Sequence, residues 1–389
     1  MEIATKKEII NKKICPKSIE CGGCQKLQVP YEIQLKEKEE KIKKLLGKNI
    51  KVASIIGMEN PFHDRNKVHA VFDKNKKGEI ISGVYKAGTH QVVPVNKCYI
   101  ENEEADEIIG TIRNLAKAFK ISIFNEDTGS GLLRHVLVRR GYTTKEIMVV
   151  LVMATPIFPS KKNFIKELLK VHPDITTIVQ NINNKRTSMV LGDRENVLYG
   201  RGYIEDELCG CFFRISSQSF YQVNSLQTTK LYNKAIELAD LKGREKVIDA
   251  YCGIGTIGII ASSKAKSVIG VELNGEAVKD AISNAKRNKI SNVRFYKGDA
   301  GEFMEKMALK GEGADVVIMD PPRSGSTEKF MDAIGKLKPD RVVYISCNPE
   351  TLARDLRYMK KKGYETKVAV PVDMFPMTEH VETICLLKK

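Results

Sequence analysis

From Lys246 onward the chain alternates between short apolar runs and helical stretches, and that alternation leaves few folds open. Lys246-Val-Ile-Asp-Ala-Tyr251 reads as a strand, Cys252-Gly-Ile-Gly-Thr-Ile-Gly258 as a glycine loop, and Ile259 onward as a helix. Further strands are expected at Ser267–Glu272, Asn292–Tyr296, Ala314–Asp320 and Arg341–Ser346, with a helix from Glu276 to Lys289. Thr366–Pro371 and Val381–Leu387 close the chain as strand, loop and strand. Strands separated by helical crossovers build a doubly wound, mainly parallel sheet, so this part is α/β and Rossmann-like. In such a sheet ligands sit outside the carboxyl ends of the strands.

The preceding residues have another texture. A helix is expected from Tyr31 to Lys51, with an apolar stripe of Ile33, Leu35, Ile42, Leu45 and Leu46, a stop at Gly47, and its many charges on a solvated face. Short strands follow, Lys67–Phe72 and Glu79–Tyr85, joined by a hairpin turn at Asn75-Lys-Lys-Gly78. After a helix from Glu101 to Lys120, strands resume at Leu132–Arg140 and Glu146–Val152, then a helix from Lys161 to His172 and strands to Gly192. Alternation along Leu132–Arg140 sets Arg134 and His135 on opposite faces, so only some of its basic residues face a ligand. The chain therefore divides into a cysteine-rich segment and helix (1–51), a central α+β domain with much antiparallel sheet (52–225), and the α/β domain (226–389).

Of 389 residues, 64 are Lys or Arg and 48 Asp or Glu, a formal charge of +16 that points to a polyanion such as nucleic acid as partner. No apolar run approaches the ~18 residues of a membrane span, and Met1–Lys7 has no signal-peptide core, so a cytoplasmic protein without membrane contact is expected. Nine cysteines in a chain without a secretion signal argue for metal binding or catalysis rather than disulfides. Cys15, Cys21 and Cys24 sit in a Cys-x5-Cys-Gly-Gly-Cys run, and Cys98 is the one other cysteine before Cys209. Four thiolates suit zinc or an iron–sulfur cluster.

The glycine loop and Glu272 also match a dinucleotide fingerprint. Yet Asp249, Glu272, Asp299 and Asp320 all fall at strand ends, and carboxylates there repel a pyrophosphate. They suit a cationic nucleoside without phosphates, which describes S-adenosylmethionine. Asp320-Pro-Pro-Arg323 carries arginine where enzymes that methylate exocyclic amines carry a stacking aromatic, which disfavours amine chemistry. Methylation at carbon of a pyrimidine needs a covalent nucleophile. Cys347 supplies a thiol at the end of a strand, in Ser346-Cys-Asn-Pro349. A lone strand cysteine is more often structural. Its expected partner is Glu382, in His380-Val-Glu-Thr383, which opens the last strand at the same sheet edge and is placed to act as a base.

Over nearly its whole length the chain resembles the RNA uracil-5 methyltransferases, which make 5-methyluridine in ribosomal and transfer RNA. The resemblance rests on the four cysteines, Gln25–Lys36, Phe213–Asn224, Asp249–Gly255, Gly270–Glu272, Asp320–Arg323, Ser346–Pro349 and His380–Thr383. It implies that Cys347 attacks C6 of uracil, that Glu382 removes the C5 proton, and that Gln222, Tyr251, Thr256, Glu272, Asp299 and Asp320 contact S-adenosylmethionine. It also implies a [4Fe–4S] cluster on Cys15, Cys21, Cys24 and Cys98, with zinc as the alternative, a feature of the ribosomal branch. The expected activity is methylation of a uridine in 23S ribosomal RNA. The alternatives are the same chemistry on transfer RNA, or a non-catalytic RNA-binding protein bearing a cluster. Fourteen residues precede Cys15, too few for the N-terminal RNA-binding β-barrel of many members. RNA recognition is then expected of the central domain, with the target base extruded from its stack. No obligate protein partner is expected.

Overall fold

The computed structural model describes residues 15–185 and 189–389. The opening stretch read as lacking a signal-peptide core lies outside the described residues. Two compact units result, one of residues 1–28, 61–207 and 215–218, the other of residues 29–60, 208–214 and 219–389. They group the chain differently from the boundaries at 51/52 and 225/226, because the helix Tyr31–Leu46 packs within the second unit.

The first unit holds a seven-stranded sheet in the order Val92–Pro94, Ile80–Tyr85, Lys67–Lys74, Leu133–Arg140, Ile147–Met153, Ile175–Ile182, Arg194–Tyr199. Neighbours are antiparallel except Ile147–Met153 with Ile175–Ile182, which the helix Lys161–Val171 connects as a crossover. The Asn75–Gly78 turn closes the expected hairpin, with Lys74 opposite Ile80. The helices Glu103–Ala118 and Lys161–Val171 pack Ile108, Ile112, Phe164 and Leu168 onto Val68, Phe72, Val136 and Val149 of the sheet.

Alternation leaves open which basic residues of Leu133–Arg140 face a ligand, and Arg134 is not one of them. Arg134 is 2% exposed. Its guanidinium grips both carboxylate oxygens of Glu126 at 2.8 Å, donates to the Asn183 and Lys185 carbonyls, and lies 4.5 Å over the Phe124 ring. A register shift between Leu133 and His135 places Arg134 in a bulge, which the two-residue periodicity cannot anticipate. His135 is buried against His69 at 5.0 Å between ring centres, and burial pushes the His69 imidazole down to about 4, so both rings are neutral.

The second unit is built on an eight-stranded sheet: Lys51–Val52, Glu365–Val372, Glu382–Lys388, Arg341–Ser346, Val316–Met319, Lys246–Ala250, Ser267–Glu272, Val293–Lys297. All pairs are parallel except those of Glu382–Lys388, which runs against both neighbours. This is the doubly wound sheet expected from the alternation, with one extra edge strand, Lys51–Val52, that two residues could not announce. Chain order reverses between Lys246–Ala250 and Val316–Met319, the switch point at which such sheets open a crevice.

The helix Tyr31–Leu46 departs from its expected polarity. Its buried line is Tyr31, Gln34, Lys38 and Ile42, whereas Ile33 is exposed. Lys38 is therefore not on a solvated face, because its ammonium is buried on Asp373 at 2.6 Å. Among the described residues no helix is long and apolar enough to cross a membrane.

Candidate active site

The glycine loop is shaped by two close approaches. Gly255 has φ +83°, and a Cβ there would meet Phe295 at 2.7 Å. Gly258 donates its N–H to Asp249 Oδ2 at 2.7 Å, so closely that a Cβ would strike the same oxygen. The other oxygen, Asp249 Oδ1, is buried with no hydrogen-bond partner. Burial, reinforced by Asp320 and Glu272 charges, pushes the Asp249 carboxyl up to about 7.

Around this loop the remaining crevice residues fall into place. Glu272, at the end of its strand, accepts from the Gly253 N–H at 3.1 Å and the Asn274 N–H at 2.8 Å, so the loop presets its carboxylate. Tyr251 sits at φ +63° with its ring 5.1 Å from Phe330. Asp299 caps the helix Ala300–Leu309 by accepting from Glu302 N–H at 2.9 Å. Thr256 opens the helix Thr256–Ser262. Thr256 and Gln222 both bear on the hydroxyl of Tyr232, a buried residue that the motifs did not single out. Nothing in its flanking sequence marks Tyr232, which reads as one more apolar position of the helix Ser225–Ala239.

The catalytic candidates meet at the same edge. In the antiparallel ladder Ser346 pairs with Thr383 as the last pair, Cys347 and Glu382 each come one residue beyond it, and the Glu382 charge acts on the Cys347 thiol. Asn348 caps the helix Pro349–Lys361 and donates to the Arg323 carbonyl at 3.0 Å, tying the Asp-Pro-Pro-Arg loop to the cysteine. Buried Asp355 holds the far end of that loop, accepting from Ser326 N–H and Tyr344 OH, each at 2.7 Å. Burial and the neighbouring Glu382 and Asp320 charges push the Cys347 thiol up to about 11, against the pull of Arg323. Glu382 is 4% exposed; burial first, and Asp320 second, push its carboxyl up to about 8, again opposed by Arg323. Asp320 itself is pushed up by burial. A thiol and two carboxyls thus hold their protons together, and ionising one disfavours ionising the others.

The sequence from residue 30 to residue 389 matches the model of one family, tRNA (uracil-5-)-methyltransferase. The chain belongs to the tRNA (uracil-5-)-methyltransferase family. Members of similar sequence include an uncharacterized RNA methyltransferase of Halalkalibacterium halodurans, 44% identical over 379 residues that cover 96% of this chain and 82% of that protein. Another, from Clostridium acetobutylicum, is 42% identical over 396 aligned positions, covering 100% of this chain and 86% of the relative. Among solved structures, the Pyrococcus abyssi tRNA (uracil-54, C5)-methyltransferase in complex with S-adenosyl-L-homocysteine superimposes with a TM-score of 0.80 at 28% identity, over 97% of this chain and 87% of that one. The chain thus shares both the sequence signature and the fold of its family.

The four cysteines of this family member lie in its other unit. Cys15, Cys21, Cys24 and Cys98 line one cavity of about 350 Å³, with Leu27 and Arg65 beside them. The Cys24 thiol is pushed up to about 11 by burial, with Cys21 and Cys15 adding to the effect and Arg65 opposing it. Among the described residues no group of three or more His, Cys, Asp or Glu side chains stands ready-made to hold a metal ion.

Proposed function

We propose that the protein transfers a methyl group from S-adenosylmethionine to C5 of a uridine in RNA through a covalent Cys347–C6 adduct. The observation that carries this reading is that Cys347 and Glu382 both come one residue beyond the last ladder pair, Ser346 with Thr383, and share Asp320 and Arg323 as charged neighbours. The crevice fits a cationic donor, since Asp249 Oδ1 is buried without a partner and Glu272 is preset by loop amides. S-adenosylmethionine bound there supplies an electrophilic methyl group. The Cys347 thiolate adds to C6, forming an S–C bond and moving the C5–C6 π pair into an enolate, whose C5 takes the methyl as the donor's C–S bond breaks and its electron pair stays on sulfur. Glu382 then removes the C5 proton, the C–H pair restores the C5–C6 double bond, and the Cys347 thiolate leaves. Adduct formation turns the sulfur into a neutral thioether.

Four thiols are the donor set of a [4Fe–4S] cluster, and Cys15, Cys21, Cys24 and Cys98 are the residues that would hold it; zinc is the alternative. Iron and sulfide analysis of anaerobically purified protein, against zinc content, decides between them. By the resemblance this cysteine set goes with 23S ribosomal RNA as substrate. Similarity to the Pyrococcus abyssi enzyme favours a second reading, a transfer RNA uridine. Incubating ribosomal and transfer RNA pools with labelled donor tests both. Label appearing as 5-methyluridine in one pool assigns the substrate, and label in neither defeats the activity.

Two further outcomes are expected. Tyr232→Phe removes the hydroxyl shared by Thr256 and Gln222, and should weaken donor binding about tenfold without unfolding the protein, measured by calorimetry. Turnover should climb as pH rises through about 8, where the Glu382 carboxyl loses its proton. Stability should move the other way. The folded state keeps a proton on Glu382 that the unfolded chain releases above its ordinary 4.5, so the contribution falls as pH rises from there to about 8. Initial rates and melting temperatures across that window check both signs.

A further inference from the structure

The nine residues between the strands Glu365–Val372 and Glu382–Lys388 form a strap that ends on Glu382, and both strap ends are fixed where Val372 pairs with Glu382. One face of the helix Tyr31–Leu46 holds this strap. Tyr31, Gln34 and Lys38 follow at spacings of three and four, so they share that face. Tyr31 OH donates to Asp373 Oδ2 at 2.7 Å, and Lys38 Nζ donates to Asp373 Oδ1 at 2.6 Å and to the Phe375 carbonyl at 3.0 Å. Gln34 Oε1 accepts from the Met377 N–H at 3.1 Å. From the other side Gln227 donates to the Asp373 carbonyl at 2.9 Å and Asn224 to the Met374 carbonyl at 3.2 Å. Asn224 lies two residues beyond Gln222, so the same strap joins the donor side of the crevice to the strand of the base. Lys38 and Asp373 are both buried, and an ion pair taken out of water is weak as a device for stability alone.

We propose that Lys38 and Asp373 are positioning residues of the methyl-transfer reaction, fixing the strap so that Glu382 stands within reach of the C5 proton. This rests on the reading of Glu382 as the base. Neither residue touches the reacting atoms. Their effect falls on the last step, proton removal and release of Cys347, and leaves attack and methyl transfer in place.

The test uses the full chain with an RNA substrate of the pool that accepts label. The variant Lys38→Met/Asp373→Asn removes both charges together and leaves no buried ion unpaired. Its kcat should fall about 10- to 100-fold, as for a sub-ångström misplacement of a reacting group. KM for the donor should stay within about threefold of the unaltered protein's, and covalent protein–RNA adduct should accumulate as in Glu382→Gln. Lys38→Arg, which keeps the charge, should recover most of the loss. If the double variant does not fold, Tyr31→Phe carries the same test, with a smaller loss of about threefold and the same adduct build-up. Loss of activity in proportion to lost folded protein, without adduct, would make the pair merely structural and overturn the proposal. Adduct in Glu382→Gln but none in the pair variant overturns the positioning role alone. Adduct in neither overturns the reading of Glu382, and the positioning role with it.

Discussion

Glu382→Gln is expected to leave the protein covalently attached to its RNA. Glutamine keeps the shape of the side chain in a site that is almost fully buried, so the strand Glu382–Lys388 and its pairing to Arg341–Ser346 should stay intact. What it lacks is the ability to take a proton. Attack by Cys347 and methyl transfer precede that step, so the methylated adduct forms and then cannot eliminate. Turnover should fall on the order of 10²- to 10⁴-fold, the range of a single general base. The measurement is a denaturing gel of protein with labelled RNA, in which a slower band carries both label and protein. Loss of turnover with no such band, in protein that still binds the donor, would remove Glu382 from the role of base.

Cys347→Ala is expected to abolish the reaction at its first step. C5 of uracil is not nucleophilic until a group adds at C6, and neither nearby thiol of this sheet is open to replace Cys347: Cys252 in the glycine loop and Cys385 in the core are both buried. A loss on the order of 10⁴-fold or more is expected, as for removal of the nucleophile from other covalent enzymes. Donor affinity should stay within about twofold, and the fold should tolerate the loss of a half-buried thiol at about 1 kcal/mol or less. Combining Cys347→Ala with Glu382→Gln should erase the adduct band of the single Glu382 variant. Near-normal turnover by Cys347→Ala would defeat the covalent mechanism and leave the family assignment standing.

The opposite signs of charge around these two residues explain why the site needs Arg323. Three groups that gain negative charge on ionisation, Cys347, Glu382 and Asp320, are enclosed together, and Arg323 is the cation that opposes the upward push on both the thiol and Glu382. The loop holding Arg323 is in turn anchored by Asn348 and Asp355, so its backbone is set by the helix that begins two residues after the cysteine.

Much of this was legible in the chain itself, because the features concerned are local. Strand–glycine-loop–helix alternation is set by residues within a few positions of one another, and it yielded the doubly wound sheet and its carboxyl-edge crevice. Cys347, Asp320 and Glu272 could be placed because each ends a strand whose apolar run is visible. Even the antiparallel last strand followed from the spacing of two apolar runs about a short connection.

Other features depended on contacts between residues far apart in sequence. Lys38 reads as one more charge on a lysine-rich helix; only Asp373, 335 positions later, makes it a buried residue. Arg134 reads as one of several basic residues of an alternating strand, and only the fold, through a bulge and Glu126, turns it inward. Tyr232 reads as core, and only the fold sets its hydroxyl between Thr256 and Gln222. The sequence by itself determined the fold class and the family resemblance, and it named the candidate thiol and carboxylates. Tertiary structure alone decided which charges are buried and what they face. Periodicity reports how a residue stands on its own element, whereas desolvation and pairing depend on the element brought against it.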